Sequence, residues 1–248
     1  METFILALDQ GTSSTRSLLV DSQGNIVAMA QQELPQIYPQ AAWVEHDAHL
    51  IWQHQLSTIK AVIEQAKISV KQIAAIGITN QRETTVVWNK KTGQAISNAI
   101  VWQDRRTQAY CQELKEAGHL AMVQDKTGLL LDPYFSGTKL RWLLQNVPDA
   151  KALAQAGELA FGTIDSWLIW NLSQGQHHVT DTSNASRSLL WNLKQACWDN
   201  ELLDLFEIPN SVLPQVLPSN SIFGSTRVDV LGHAVPIMGV AGDQQAAL

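Results

Sequence analysis

Three clusters of residues have the types and spacing for phosphoryl-group and hydroxyl chemistry. The first is Asp9-Gln10-Gly11-Thr12-Ser13-Ser14-Thr15-Arg16. A tight turn there exposes consecutive backbone N–H groups as an anion nest. Gly11 lets an anion approach the chain, and Thr12 and Ser13 add hydroxyl donors. Arg16 supplies a guanidinium fork for phosphate oxygens. Asp9 ends an apolar run and is placed to hold Mg²⁺ through water, an ion that keeps several waters and takes one or two carboxylates. The second cluster is Gln81-Arg82-Glu83-Thr84-Thr85, joined by Trp102 and Tyr134. A guanidinium beside a carboxylate, with a phenol hydroxyl, suits a small polyol, whose hydroxyls both donate and accept. Trp102 offers a flat apolar wall to a carbon backbone. The third is Gly242-Asp243-Gln244 at the end of an apolar strand. A carboxylate there can take the proton of an attacking hydroxyl.

Each cluster also has a plain structural reading. Asp9 to Arg16 would serve as an ordinary hairpin, Arg82-Glu83 as a solvated ion pair, and Asp243 as a helix N-cap. Trp102 is one of nine tryptophans and could belong to the core. Arg105 and Arg106 would begin an exposed helix. Glu45, His46, Asp47, His49 and His54 fit no recognised metal spacing; Asp47 is better used as a helix cap, with His49 and His54 on the helix surface.

The elements that must position these clusters follow from periodicity. Residues 4–8, 15–21 and 26–34 read as three strands of an antiparallel meander with a hydroxyl-rich tip. Asp47 caps a helix to about Lys67, with Trp52, Leu56, Ile59, Ile63 and Ala66 on one stripe. Residues 73–79 and 84–88 are strands flanking the Arg-Glu turn. Residues 99–102 form another strand, and Asp104 caps a helix to about Ala117. A helix starts at Ser136, and residues 159–162, 165–172 and 236–240 complete an alternating α/β pattern in one compact domain.

Composition narrows the classes. Of 248 residues, 45% are hydrophobic, enough for a core and against disorder. The net charge of -6 and the lack of a Lys/Arg run argue against a nucleic-acid or anionic-membrane partner. Cys111 and Cys197 read as free thiols of a reducing cytosol. The first residues lack a basic region, so no signal peptide is expected, and no apolar run reaches the ~20 residues of a membrane span. No G-x-G and no P-loop pattern occurs, so a nucleotide must be held by another device.

The first cluster resembles the phosphate-binding hairpin of the actin, hexokinase and heat-shock-chaperone superfamily. Residues 76–85, 99–106, 132–139, 161–170 and 180–187 together resemble the glycerol-kinase branch of the carbohydrate-kinase family, in order along the chain. The resemblance implies an α/β, actin-like (ribonuclease H-like) fold with a mixed central sheet, helices on both faces and helical insertions. It implies a cytoplasmic ATP- and Mg²⁺-dependent phosphotransferase acting on glycerol, homo-oligomeric at full length. Residues 1–248 would be its N-terminal, glycerol-binding half, without the nucleotide-binding C-terminal domain. By the same resemblance Asp243 is the catalytic base. Arg82, Glu83, Trp102, Tyr134, Asp243 and Gln244 hold the polyol, Thr12, Ser13, Ser14 and Arg16 the nucleotide phosphates, and Asp9 with Asp243 the Mg²⁺.

Overall fold

A computed structural model describes residues 2–248. The chain opens with β1 (Phe4–Gln10), β2 (Ser14–Val20) and β3 (Ile26–Glu33), followed by β4 (Glu45–His46) and α1 (Ala48–Ala66). Then come β5 (Ile73–Asn80), β6 (Val86–Asn89), β7 (Ala99–Ile100), α2 (Gln108–Glu116), α3 (Leu120–Thr127), α4 (Ser136–Asn146) and α5 (Ala150–Gln155). The last part carries β8 (Leu159–Gly162), α6 (Ile164–Leu172), β9 (Val179–Asp181), α7 (Thr182–Ala185), β10 (Trp191–Asn192), β11 (Cys197–Trp198) and α8 (Asn200–Leu205). It ends with β12 (Gln215–Leu217), β13 (Gly224–Ser225), α9 (Val228–Leu231), β14 (Pro236–Gly242) and α10 (Asp243–Ala246).

Six strands form a mixed sheet in the order β13-β14-β5-β1-β2-β3. The meander β1-β2-β3 is antiparallel, whereas β1, β5 and β14 run parallel to one another. Parallel neighbours require crossovers, and the intervening helices supply them. Leu6, Leu8, Leu19, Ile76, Ile78 and Val240 point to one face and are buried there with Ile51, Ile59 and Val62 of α1 and Trp167 and Leu168 of α6. On the other face Ile5 is 42% and Met238 48% exposed. A second apolar cluster gathers Leu140, Leu143, Phe161, Leu190, Leu202 and Phe206 around the helices inserted between β7 and β12. Among the described residues no helix is long and apolar enough to cross a membrane.

The Asp47 cap is present: its carboxylate accepts from the N–H groups of His49 and Leu50 at 2.8 and 3.2 Å. Lys67 ends the helix in the left-handed region, with φ of 54°. The inward stripe differs from the expected one. Gln55 and Thr58 are fully buried, while Trp52, Leu56 and Ile63 are only partly so. Polar residues are tolerated inside because most of their groups pair with one another, although Gln55 Oε1 has no partner among the described residues. Gln55 Nε2 donates to Ser17 Oγ at 2.9 Å, and Ser17 and Thr58 hydroxyls meet at 2.9 Å.

The helix expected from Asp104 begins only at Gln108. Asp104 is instead 1% exposed, accepting from the N–H of Val44 at 2.7 Å. Arg106 is not an exposed helix residue either. Its guanidinium lies 3.8 Å from the Trp43 ring centre and 4.7 Å from that of Trp142, and it pairs with Glu45 at 2.7 Å and Asp104 at 2.8 Å. The long-range hydrogen bond from Val44, with the Arg106 ion pair beside it, thus overrides the local capping signal. The strands at residues 84–88 and 99–102 also differ from expectation: they span Val86–Asn89 and Ala99–Ile100, and Thr85 keeps a single bridge to Ile100.

Arg106→Leu should lower the unfolding free energy by about 3–5 kcal/mol, since it strips the cation from the buried Asp104 and the partly buried Glu45; urea denaturation measures this, and a loss below about 1 kcal/mol would contradict a structural role. A second prediction concerns acid. Burial pushes His46 down to about 4 from 6.5. The unfolded chain therefore takes up more protons than the folded one between pH 6.5 and 4, and His46 costs stability as pH falls through that window. Asp165, raised by burial to about 6, acts in the opposite sense. A difference measurement isolates His46: any deficit in stability of His46→Gln relative to the parent should shrink by about 1–3 kcal/mol between pH 7 and pH 4. A constant difference would remove His46 from that role.

Candidate active site

Register brings the three clusters to one edge of the sheet. Asp9 pairs with Thr79, Gln10 with Asn80 and Gly242 with Asn80, so the carboxyl ends of β1, β5 and β14 lie side by side. Open α/β sheets bind ligands at such ends.

The β1–β2 turn is closed by the Gly11 N–H on the Ser14 carbonyl at 2.9 Å. Thr12 is partly exposed and Ser13 exposed at its tip, whereas Ser14 is buried as the first residue of β2. Asp9 and Arg16 face each other across β1 and β2, with 3.1 Å between carboxylate and guanidinium. Burial raises the Asp9 carboxyl above its ordinary value, Arg16 opposes this, and the negative charge of Asp243 adds to it. Asp9 and Asp243 therefore feel each other electrostatically although they stand at opposite ends of the chain.

Beyond β5 the chain makes a strained turn. Glu83 has φ of 60°, a left-handed conformation unusual for a residue with a Cβ. Hydrogen bonds hold it there: the Thr84 N–H reaches the Arg82 carbonyl at 2.7 Å, and the Glu83 carbonyl accepts from Ser136 Oγ at 3.1 Å and Thr85 Oγ1 at 3.2 Å. The Glu83 side chain is almost fully buried and takes a 2.7 Å bond from Arg187 Nε on one carboxylate oxygen. Burial raises its carboxyl, with Arg187 and Arg82 acting against the shift.

Arg82 lies 3.2 Å from Asp243 and makes a longer 3.5 Å contact to Gln245 Oε1. The passage is tight at Gly242. A Cβ built there would come within 2.4 Å of Arg82 Cδ, so glycine is what lets the arginine cross this strand end. The Gly242 N–H is fixed by Ser183 Oγ at 2.8 Å. Asp243 begins α10 as its first helical residue, with Gly242 in the capping position expected of the aspartate.

Tyr134 packs its ring 5.5 Å from that of Trp102. Its carbonyl accepts from Lys139 Nζ at 2.5 Å, and the Phe135 carbonyl from the same group at 3.2 Å. Lys139, on the first turn of α4, is fully buried, and burial lowers its amine to about 7. Trp102 spans the site differently from expectation: its indole N–H donates to Thr12 Oγ1 at 2.9 Å, tying the polyol wall to the hydroxyl-rich turn.

Contacts join Asp9 to Arg16, Arg82 to Asp243, and Thr12 to Trp102 and Tyr134, and with Glu83 beside Arg82 these residues gather at the strand-end edge of the sheet. Gln244 is placed at its rim, exposed and without a side-chain hydrogen bond among the described residues, and the neighbouring Gln245 reaches Arg82 instead. Sequence reasoning assigned no role to Arg187, Lys139, Ser183 or the mutual amide pair Asn80–Asn184, whose two bonds measure 2.9 and 3.1 Å. The partners of Arg187 and Asn184 stand 104 residues away, and no local spacing announces them.

Residues 4–248 match the N-terminal domain of the FGGY family of carbohydrate kinases. The chain is similar to the glycerol kinase of Polaromonas sp., at 61% identity over 99% of this chain and 50% of that protein. It is similar to that of Paracidovorax citrulli at 60%, again over 99% of this chain and 49% of the relative. The chain therefore spans about half the length of the curated relatives it matches. Among solved structures, Plasmodium falciparum glycerol kinase with ADP superposes with a TM-score of 0.94 at 35% identity, over 99% of this chain and 49% of that one. Gluconate kinase from Lactobacillus acidophilus gives 0.87 at 26% identity, over 98% and 48%. With its parallel strand ends, hydroxyl-rich turn and charged cleft, this actin-like chain belongs to the FGGY family of carbohydrate kinases.

Proposed function

We propose that residues 1–248 form the N-terminal, polyol-binding half of an ATP-dependent glycerol kinase, which converts glycerol and ATP to sn-glycerol 3-phosphate and ADP, with the adenosine pocket in a second domain. The observation that carries this reading is Glu83. One of its oxygens is held by Arg187, and the other takes no bond among the described residues. That oxygen, on a side chain 2% exposed and backed by a cation, is a ready acceptor for a polyol hydroxyl, and Arg82 and Tyr134 contribute donors to the same edge. The names of the relatives at about 60% identity support glycerol as the polyol.

In this reading Arg82, Glu83 and Tyr134 orient glycerol, Trp102 backs its carbons, and Gln244 closes the rim. Asp243 accepts the proton of the attacking hydroxyl while Arg82 keeps the carboxylate aimed. Thr12, Ser13, Ser14 and Arg16 face the transferring phosphate. The donor set suits Mg²⁺: Asp9 and Asp243 are two carboxylates with 27% and 46% of their side chains exposed, room for an ion that keeps its waters. The bound ion would neutralise phosphate charge. The chain's own share is positioning, the larger part of catalysis in phosphoryl transfer. The reading also carries a cytoplasmic, homo-oligomeric enzyme with no nucleic-acid partner.

A second reading is a kinase of a sugar acid or pentulose, favoured by the likeness to gluconate kinase and to xylulose kinase from Lactobacillus acidophilus. An ADP-release assay of the two-domain enzyme on glycerol, gluconate and xylulose separates the two; the glycerol reading requires glycerol to give the highest kcat/KM. Asp243→Asn should lower kcat by roughly 10²–10⁴, the usual share of a general base, and near-parental turnover would remove Asp243 from that role. Gly242→Ala should displace Arg82 and raise the glycerol KM by about tenfold or more, on the order of one charge-assisted hydrogen bond; an unchanged KM would show that Arg82 does not need this passage.

A further inference from the structure

Gln81 and Thr84 carry no assigned role, yet both are buried between the two halves of the cleft, at 1% and 0% exposure. The Gln81 N–H donates to the Gln10 carbonyl at 2.7 Å, fixing the residue to the end of β1. Its side chain then reaches both ways. Nε2 donates to the Gly11 carbonyl at 3.2 Å, inside the hydroxyl-rich turn, and Oε1 accepts from Thr84 Oγ1 at 2.9 Å, across the base of the Arg82-Glu83 turn. Thr84 Oγ1 also accepts from the Trp102 N–H at 3.2 Å, and the Trp102 indole returns to Thr12 at 2.9 Å. The result is a closed hydrogen-bonded circuit through Gly11, Thr12, Trp102, Thr84 and Gln81.

The chemistry of the circuit gives it direction. An indole N–H can only donate, so it holds Thr12 Oγ1 as an acceptor and leaves the Thr12 hydroxyl hydrogen free to point outward to an anion. Thr84 accepts from Trp102 and spends its own hydrogen on Gln81. A single threonine thus sets the strained Glu83 turn, the height of the Trp102 ring and, through it, the Thr12 hydroxyl.

The geometry points to Gln81 and Thr84 as positioning residues that couple the polyol subsite to the phosphate-binding turn, so that occupancy of one is felt by the other. This rests on the glycerol reading above for the identity of the polyol, but the circuit itself does not.

The test uses the intact 248-residue chain, ¹⁵N-labelled, titrated with glycerol and followed by amide and indole NMR signals. In the parent, glycerol should shift the Glu83 and Trp102 signals and also those of Gly11 and Thr12. In Thr84→Val, isosteric but without the hydroxyl, the Gly11 and Thr12 responses should vanish and the glycerol Kd should rise about fivefold, the worth of one hydrogen bond; Thr84→Ser should restore both. Thr12→Ala combined with Gln81→Leu, cutting both routes to the turn, should silence the Gly11 response with Trp102 still responding, and serves if Thr84→Val does not fold. Hairpin responses that persist in both variants would overturn the coupling. If glycerol moves no signal in the parent, the polyol reading fails in this chain and the ligand-free spectra decide: Thr84→Val must still shift the Trp102 indole and the Gly11 and Thr12 amides, and unchanged signals would overturn the circuit.

Discussion

The parallel register of β1, β5 and β14 is the constraint on which the site depends. A shift of one residue would turn Asp9 to the opposite face of the sheet and move Gly242 away from Arg82. The register is held on the core side by Leu6, Leu8, Ile76, Ile78 and Val240, which interlock with α1 and α6. Chemistry on one edge is thereby fixed by apolar packing on one face. The groups at that edge are mostly polar and costly to bury, and the core offsets that cost elsewhere in the molecule.

At the strand ends the charges are arranged in pairs of different depth. Glu83–Arg187 is largely buried and Asp9–Arg16 is partly open to solvent. Arg82 is mostly buried but its partner Asp243 is exposed. The deep pair builds a fixed acceptor. The shallower carboxylates can exchange an arginine for another cation or for a substrate proton at little cost, because water already screens them. A site meant to receive a charged ligand needs both: a rigid reference and replaceable partners.

Much of this was legible from residue order alone. The meander, the Asp47-capped helix and the turn after β5 follow from local signals, and the resemblance named residues that gather at the strand ends. What stayed hidden was long-range. Asp104 carries the signal of an N-cap but is claimed by the N–H of Val44, and Gln55 and Thr58 turn inward because Ser17 waits for them on β2. Trp102 reads as a wall and is also a hydrogen-bond donor to Thr12. Arg187 sits in a recognisable block, yet its partner across the fold cannot be deduced from spacing. In each case a polar group found its partner through tertiary packing, which periodicity does not encode.

The parallel crossovers also govern how such a chain comes together in time. Residues 4–10 must find residues 73–80, and these must in turn find residues 236–242, before the sheet closes. Each closure costs loop entropy before it returns any contact, which makes such topologies slow to fold. On a ribosome the β1–β3 meander emerges first and waits with the edge of β1 unpaired, a template for wrong partners until β5 arrives. The charged edge, built from β14 as well as β1, therefore forms only once residues 236–242 have docked. Its appearance reports that the whole sheet has reached its register, and no early fragment of the chain would present it.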